Sequence, residues 1–172
     1  MDFQGIHDHL KAADVPGLLK ADAPRPPNPE DKKDKGRAGD PFVEVDPVQI
    51  CEFMAACRDD ERLRFEILAD LSAADPSADS EELWVLYQLL SITHRHRLMV
   101  KARIPKEDAN INTIAGIHRG AQWHERECAE MFGITFNGHP DPRNMLLPDD
   151  WPGYPLRKDY EFPEEYHGIS CV

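Results

Sequence analysis

The chain has 172 residues, long enough for one folded domain with flanking segments, and carries a formal net charge of −12. That acidity excludes a general nucleic-acid binder, which needs a basic face to displace counterions. No run approaches the roughly 18 apolar residues of a membrane span, and no signal peptide is visible, so a soluble, cytosolic chain is expected.

Residues 1–20 place Phe3, Ile6 and Leu10 at helical spacing, which predicts a short amphipathic helix. Residues 21–40 are rich in proline and charge and almost free of apolar side chains. Such a stretch cannot bury enough surface to offset its ordering entropy and is read as a flexible linker. The core domain is expected over 41–136. Phe42 to Val45 alternates as a strand, and Asp46-Pro47 reads as an N-cap followed by proline at the first helical position. Ile50, Phe53, Met54 and Cys57 then recur at i, i+3, i+4 and i+7, one buried helical stripe.

Arg64 to Leu71 alternates, with Phe65, Ile67 and Ala69 on one side, and 75–82 is a polar loop. Leu83 to Ile92 is apolar on both parities, as in a central strand covered on both faces, although a buried helix of this length has the same signature. After a turn at Thr93-His94, Leu98, Val100, Ala102 and Ile104 alternate with Arg97, Met99, Lys101 and Arg103. This predicts a strand with one core face and one basic face. Residues 105–112 read as a loop. Trp123 to Phe132 is read as a helix closed by Gly133, followed by a strand at 134–136 and a turn at Asn137-Gly138. The order predicts an α+β fold: a mainly antiparallel sheet of about four strands with helices on one face. Residues 137–172 combine prolines with Trp151, Tyr154, Tyr160, Phe162 and Tyr166. Disordered tails are poor in large aromatics, so an extended proline-rich C-terminal arm lying along another protein is expected.

Several clusters could carry chemistry. On the 123–132 helix, about 100° per residue places Trp123, Glu127 and Glu130 on one face with Arg126 at its edge and Glu125 pointing away. The carboxylates could form an acid–base pair, or ion pairs with the basic residues that follow, His139, Arg143, Arg157 and Lys158. His94 and His96 have zinc-ligand spacing, but Arg95 and Arg97 crowd a cation there, and a set of surface histidines is the plainer reading. The basic face Arg95, Arg97, Lys101 and Arg103 suits either an acidic partner or a solvated sheet face. Cys51, Cys57, Cys128 and Cys171 form no CxxC, which argues against cluster ligation or disulfides.

The run ERECAEMF at 125–132, then His139, Arg143 and Met145-Leu146, with GHPDPRNMLLPDDWPGYPLRKDYEFPEEYHGI trailing, resembles the signature of the 30-kDa subunit family of respiratory complex I. LRFEILADLSAAD and LLSITHRHRLMVKARIP also stand where that family has similar segments, and the resemblance spans about 41–169. The chain departs from it at Ala129 and Glu130, where many relatives have an aromatic residue and an aspartate, and at Pro142, where they have leucine.

The resemblance implies an accessory structural subunit of the hydrophilic arm of NADH:quinone oxidoreductase, without independent catalysis. It would be peripheral, on the cytoplasmic side of the bacterial inner membrane. It implies no cofactor in this chain, with FMN and iron–sulfur clusters held by partner subunits. The implied partners are the hydrogenase-large-subunit-like subunit, the cluster-bearing small subunit near the quinone site and further peripheral-arm subunits. The signature positions Glu125, Arg126, Glu127, Glu130, His139, Arg143, Arg157, Lys158 and Asp159 are implied to make polar contacts between subunits. The equivalent subunit of a membrane-bound hydrogenase, or of an F420H2- or ferredoxin-dependent oxidoreductase, would have the same signature.

Overall fold

The computed structural model describes residues 1–24 and 39–170. Three α-helices are seen among them: α1 (Phe3–Ala12), α2 (Ile50–Asp59) and α3 (Ala121–Phe132). The strands are β1 (Leu18–Asp22), β2 (Phe42–Val45), β3 (Ile67–Ala74), β4 (Glu82–Ser91), β5 (His96–Pro105), β6 (Asn110–Asn112), β7 (Thr135–Asn137), β8 (Glu165–Tyr166) and β9 (Ile169–Ser170).

The α+β class is as expected, but the sheet is neither four-stranded nor mainly antiparallel. It is a mixed sheet of five strands in the order β1-β2-β5-β4-β3. The hairpin β3–β4–β5 is antiparallel, whereas β2 runs parallel to β5, with Val43 beside Val100 and Val45 beside Ala102. A parallel neighbour requires a crossover connection, and α2 lies in the chain between β2 and the hairpin. Periodicity reports which residues of a strand face inward, not which strand lies beside it. A second parallel pair, β6–β7, joins the segments on either side of α3.

β1 crosses the expected boundary between residues 1–20 and the 21–40 linker. It pairs antiparallel with β2 at the sheet edge, and Gly17 (φ +82°) makes the turn that leads into it. The part of the linker at 25–38 lies outside the described residues.

One face of the sheet carries the core. Leu83, Val85, Tyr87 and Leu89 of β4, and Leu98, Val100, Ala102 and Ile104 of β5, are almost wholly buried. They cluster with Ile6 and Leu10 of α1, with Ile50, Phe53, Met54 and Cys57 of α2, and with Ala121, Cys128 and Phe132 of α3. Each such large side chain contributes about 1.5–3 kcal/mol by leaving water. Asp46 caps the turn before α2 by accepting from the Val48 N–H, in keeping with its position before Pro47.

Among the described residues, no helix covers the other face. The second apolar parity of β4 is only half-buried, because neighbouring side chains shelter it. Lys101 lies over the Trp84 ring at 3.1 Å, and Arg103 and Lys20 both reach Glu44 at 3.2 Å. The alternation read over 64–71 also fails in part. β3 begins at Ile67, and a bulge between Leu68 and Asp70 resets the inward parity to Leu68, Leu71 and Ala73, leaving Ala69 exposed.

Candidate functional site

α3 is the centre of the signature region, and its burial differs from the helical-wheel reading. Trp123 and Glu127 face outward, but Glu125 is fully buried and Glu130 is 5% exposed. The core side of the helix is Ala121, Glu125, Cys128 and Phe132, so Glu125 does turn away from Trp123 and Glu127, and that direction is into the fold. Glu130 does not share the open face of Trp123 and Glu127, because residues 145–147 lie over it.

Among the described residues, seven of the nine signature side chains have a partner inside the chain; the exceptions are Glu127 and Lys158, and Lys158 takes part through its backbone N–H. Glu125 accepts from the Thr113 hydroxyl and from the Ile114 N–H (2.8 Å), which pins the 113–118 turns to α3. Burial raises its carboxyl above the ordinary glutamate range, against those two hydrogen bonds and the nearby His139 ring, 3.8 Å away. His139 Nδ1 accepts from the Asp141 N–H, so the ring proton sits on Nε2, which donates to the Gln122 carbonyl at 3.1 Å.

One turn apart on α3, Arg126 and Glu130 grip the same stretch of backbone by its two kinds of polar group. Arg126 donates to the carbonyls of Arg143 (2.8 Å) and Asn144 (3.0 Å). The Glu130 carboxylate accepts from the N–H groups of Met145, Leu146 and Leu147 at 2.9–3.0 Å. Hydrogen bonds with one ionised partner are the stronger kind.

The end of α3 is closed in the same manner. Gly133 is left-handed (φ +70°), and a Cβ there would lie 2.5 Å from the Tyr154 ring. Arg157 donates to the Phe132 carbonyl at 2.7 Å, on the helix end that favours a cation, and lies over the Tyr154 ring at 4.7 Å. Leu156 N–H bonds the Met131 carbonyl. The Lys158 N–H reaches the Asp75 carboxylate (2.9 Å), and Asp159 meets Lys106 at 3.2 Å. Arg143 forks onto Asp141 and is open to solvent, and that guanidinium holds Asp141 down to about 2.

The extended arm expected over 137–172 is therefore not what is observed among the described residues. The C-terminal segment turns back over α3 and the end of the sheet, and finishes in the β8–β9 hairpin. Three participants escape the sequence reading: Thr113, Asp75 and Lys106. All three sit in or beside stretches that read as polar loops, and their type alone gives no signal.

The zinc-spaced histidines serve the 61–63 turn instead. His94 Nε2 pairs with the Glu61 carbonyl and His96 Nε2 with that of Leu63. Among the described residues there is no cluster of three or more His, Cys, Asp or Glu side chains that could hold a metal ion. Cys57 and Cys128 are buried, and desolvation pushes both thiols well above their ordinary range.

Residues 43–166 match the family described as the 30 Kd subunit of respiratory-chain NADH dehydrogenase. The chain belongs to that family. Its NADH-quinone oxidoreductase relative from Chloroherpeton thalassium is 42% identical over 179 aligned positions, covering 95% of this chain and 74% of the relative. The corresponding NADH-quinone oxidoreductase subunit of Chlorobium phaeobacteroides is 43% identical, covering 76% and 79%. Other members are longer, and the chain spans 56% of the one from Salinispora arenicola, at 40% identity. Among solved structures, Nqo5 of a trypsin-resistant fragment superposes with a TM-score of 0.60 at 25% identity, over 82% of this chain and 99% of that one. A chain of the archaeal membrane-bound sulfane sulfur reductase shares the fold, with a TM-score of 0.66 at 23% identity, over 92% and 84%. A member of the 30 Kd family is one subunit of an oxidoreductase complex, and catalysis belongs to the complex.

Proposed function

We propose that this chain is an accessory structural subunit of the hydrophilic arm of NADH–quinone oxidoreductase. In this reading it supports electron transfer from NADH to quinone, coupled to proton translocation, and carries no electrons itself. FMN and iron–sulfur clusters belong to partner subunits. The partners are the hydrogenase-large-subunit-like subunit and the cluster-bearing small subunit near the quinone site. The chain divides functionally near residue 137, into a folded body and a C-terminal segment that contacts other subunits. No described helix is long and apolar enough to cross a membrane. Attachment to the cytoplasmic side of the inner membrane is through the complex.

The observation that carries this reading, beside family membership, is the distribution of exposed apolar side chains. Of the ten large hydrophobic residues exposed among the described residues, six lie on α3 or after it: Trp123, Leu146, Tyr154, Leu156, Phe162 and Ile169. Large apolar side chains left exposed and concentrated in one part of a chain are candidates for covering by another protein. Arg126, Glu130 and Arg157 hold the segment in place, while the exposed side chains of Glu127 on α3 and of Arg143, Lys158 and Asp159 on the segment can reach neighbours, Arg143 and Asp159 beside their partners Asp141 and Lys106.

The test is co-purification from cells that express the tagged chain or a version ending at residue 138. The full chain is expected to bring down the other oxidoreductase subunits and the shortened one to lose them. Equal recovery with both would sink the proposal. The likeness to the sulfane sulfur reductase chain supports a second reading, the equivalent subunit of a related membrane-bound machine. Recovery of a nickel-ligating large subunit in place of flavin-bearing NADH-module subunits would select it.

A further inference from the structure

Asp75 follows β3 directly, and its side chain is fully buried. A buried carboxylate is costly unless it is paired and hydrogen-bonded. Here one oxygen accepts from Lys106 Nζ and from the Lys158 N–H, both at 2.9 Å, and the other accepts from the Ser77 N–H. Lys106 follows β5 directly and is itself nearly buried. Its own N–H is bonded to the Glu81 carbonyl, and its ammonium reaches on to Asp159 at 3.2 Å. Two strand ends and the C-terminal segment thus converge on one ion pair.

The neighbouring contacts cannot substitute for it. The Arg126–Glu130 grip acts on residues 143–147, while the Leu156 N–H and the Arg157 side chain fix 156 and 157 to the end of α3, so neither reaches past Arg157. Apolar packing adds little here, since Leu156 and Phe162 are 50% and 66% exposed.

We propose that Asp75 and Lys106 are a positioning pair that fixes residues 158–162 against the end of the sheet. Resting on the function proposed above, the pair thereby sets how Phe162 is presented to a neighbouring subunit. Lys106 acts through Asp75. The ammonium keeps the buried carboxylate ionised, and the ionised carboxylate holds the Lys158 backbone.

Hydrogen exchange of the full chain, read by mass spectrometry or NMR, tests this. In Lys106→Met, the amides of 158–162 should exchange about tenfold faster or more, while those of β4 and β5 are unchanged. Lys106→Arg should restore most of the protection, because it keeps charge and donors. Asp159→Asn should change it less than about threefold, since that partner is half exposed. Unchanged exchange at 158–162 in Lys106→Met would overturn the proposal. So would an equal loss of protection in β4 and β5, which would make the pair a general determinant of the fold. Assembly is scored separately, by co-purification of the variant. A released segment with normal assembly leaves the pair standing and removes the role of the segment in docking. Failure of the unmutated chain to co-purify touches that docking role alone.

Discussion

The sheet body and the C-terminal segment of this chain are stabilised by different physics. In the body, β4 and β5 turn alternate side chains into a core where most are within 1% of complete burial. In the segment, no described residue after Phe136 is buried. It is held instead by four charged side chains of the body and of the segment itself, Arg126, Glu130, Asp75 and Arg157, acting largely on backbone groups. Apolar burial is cooperative and spread over many residues. A few ion-assisted hydrogen bonds are not, so single changes should free the segment while the body stays folded.

The largest expected effect attacks the body. Phe53→Ala removes a wholly buried ring from α2 and should cost about 3–5 kcal/mol of global stability, measured by urea unfolding. A loss below about 1 kcal/mol would mean that the core is not where the contrast puts it. Glu130→Ala should come next, at about 1.5–3 kcal/mol, but confined to the segment. Exchange at residues 145–147 should rise steeply while the midpoint of body unfolding moves little. Coincident loss in both regions would erase the distinction.

A smaller effect is carried by pH. The Glu125 carboxyl is raised by burial, so the native state retains a proton that the unfolded chain gives up. Its contribution to stability is complete below the ordinary glutamate pKa and is lost as pH rises through the folded value. Glu125→Gln should therefore flatten the decline in stability above that range, and a slope identical to wild type would count against the buried-carboxyl account. Asp141 titrates the other way. Held down to about 2 by Arg143, its contribution is present above the unfolded aspartate pKa and lost as pH falls toward that value. The smallest effect on the isolated chain belongs to Arg143→Ala, because that side chain is open to solvent. The thermal unfolding midpoint should fall only slightly, by the loss of one exposed ion pair with Asp141, while recovery of assembled complex falls clearly; unchanged recovery would remove Arg143 from the contact surface.

Much of the body is legible in the sequence because its signals are local. The stripe Ile50, Phe53, Met54 and Cys57, the Asp46-Pro47 start, the alternation in 97–104 and the glycine stop at Gly133 each depend on residues within a few positions of one another. β1 escapes such a reading because five residues with a bulge leave no periodic trace, and the parallel pairing of β2 with β5 joins residues more than fifty positions apart. The signature region is recognisable by residue type and spacing, and so is the turning of Glu125 away from Trp123 and Glu127, but which side of α3 is buried is not. Glu125 is buried only because Thr113 and the Ile114 N–H are brought to it from a separate turn. In the same way, nothing in a polar loop distinguishes Asp75 from its neighbours until Lys106 and Lys158 arrive beside it.

Comparing hydrogen exchange of the lone chain with that of the same chain inside the purified oxidoreductase tests the central claim most directly. The account predicts added protection on the outer side of α3 around Trp123 and across residues 143–166, with β4 and β5 unchanged. Added protection confined to the open sheet face around Trp84 and Lys101, or none at all, would contradict it.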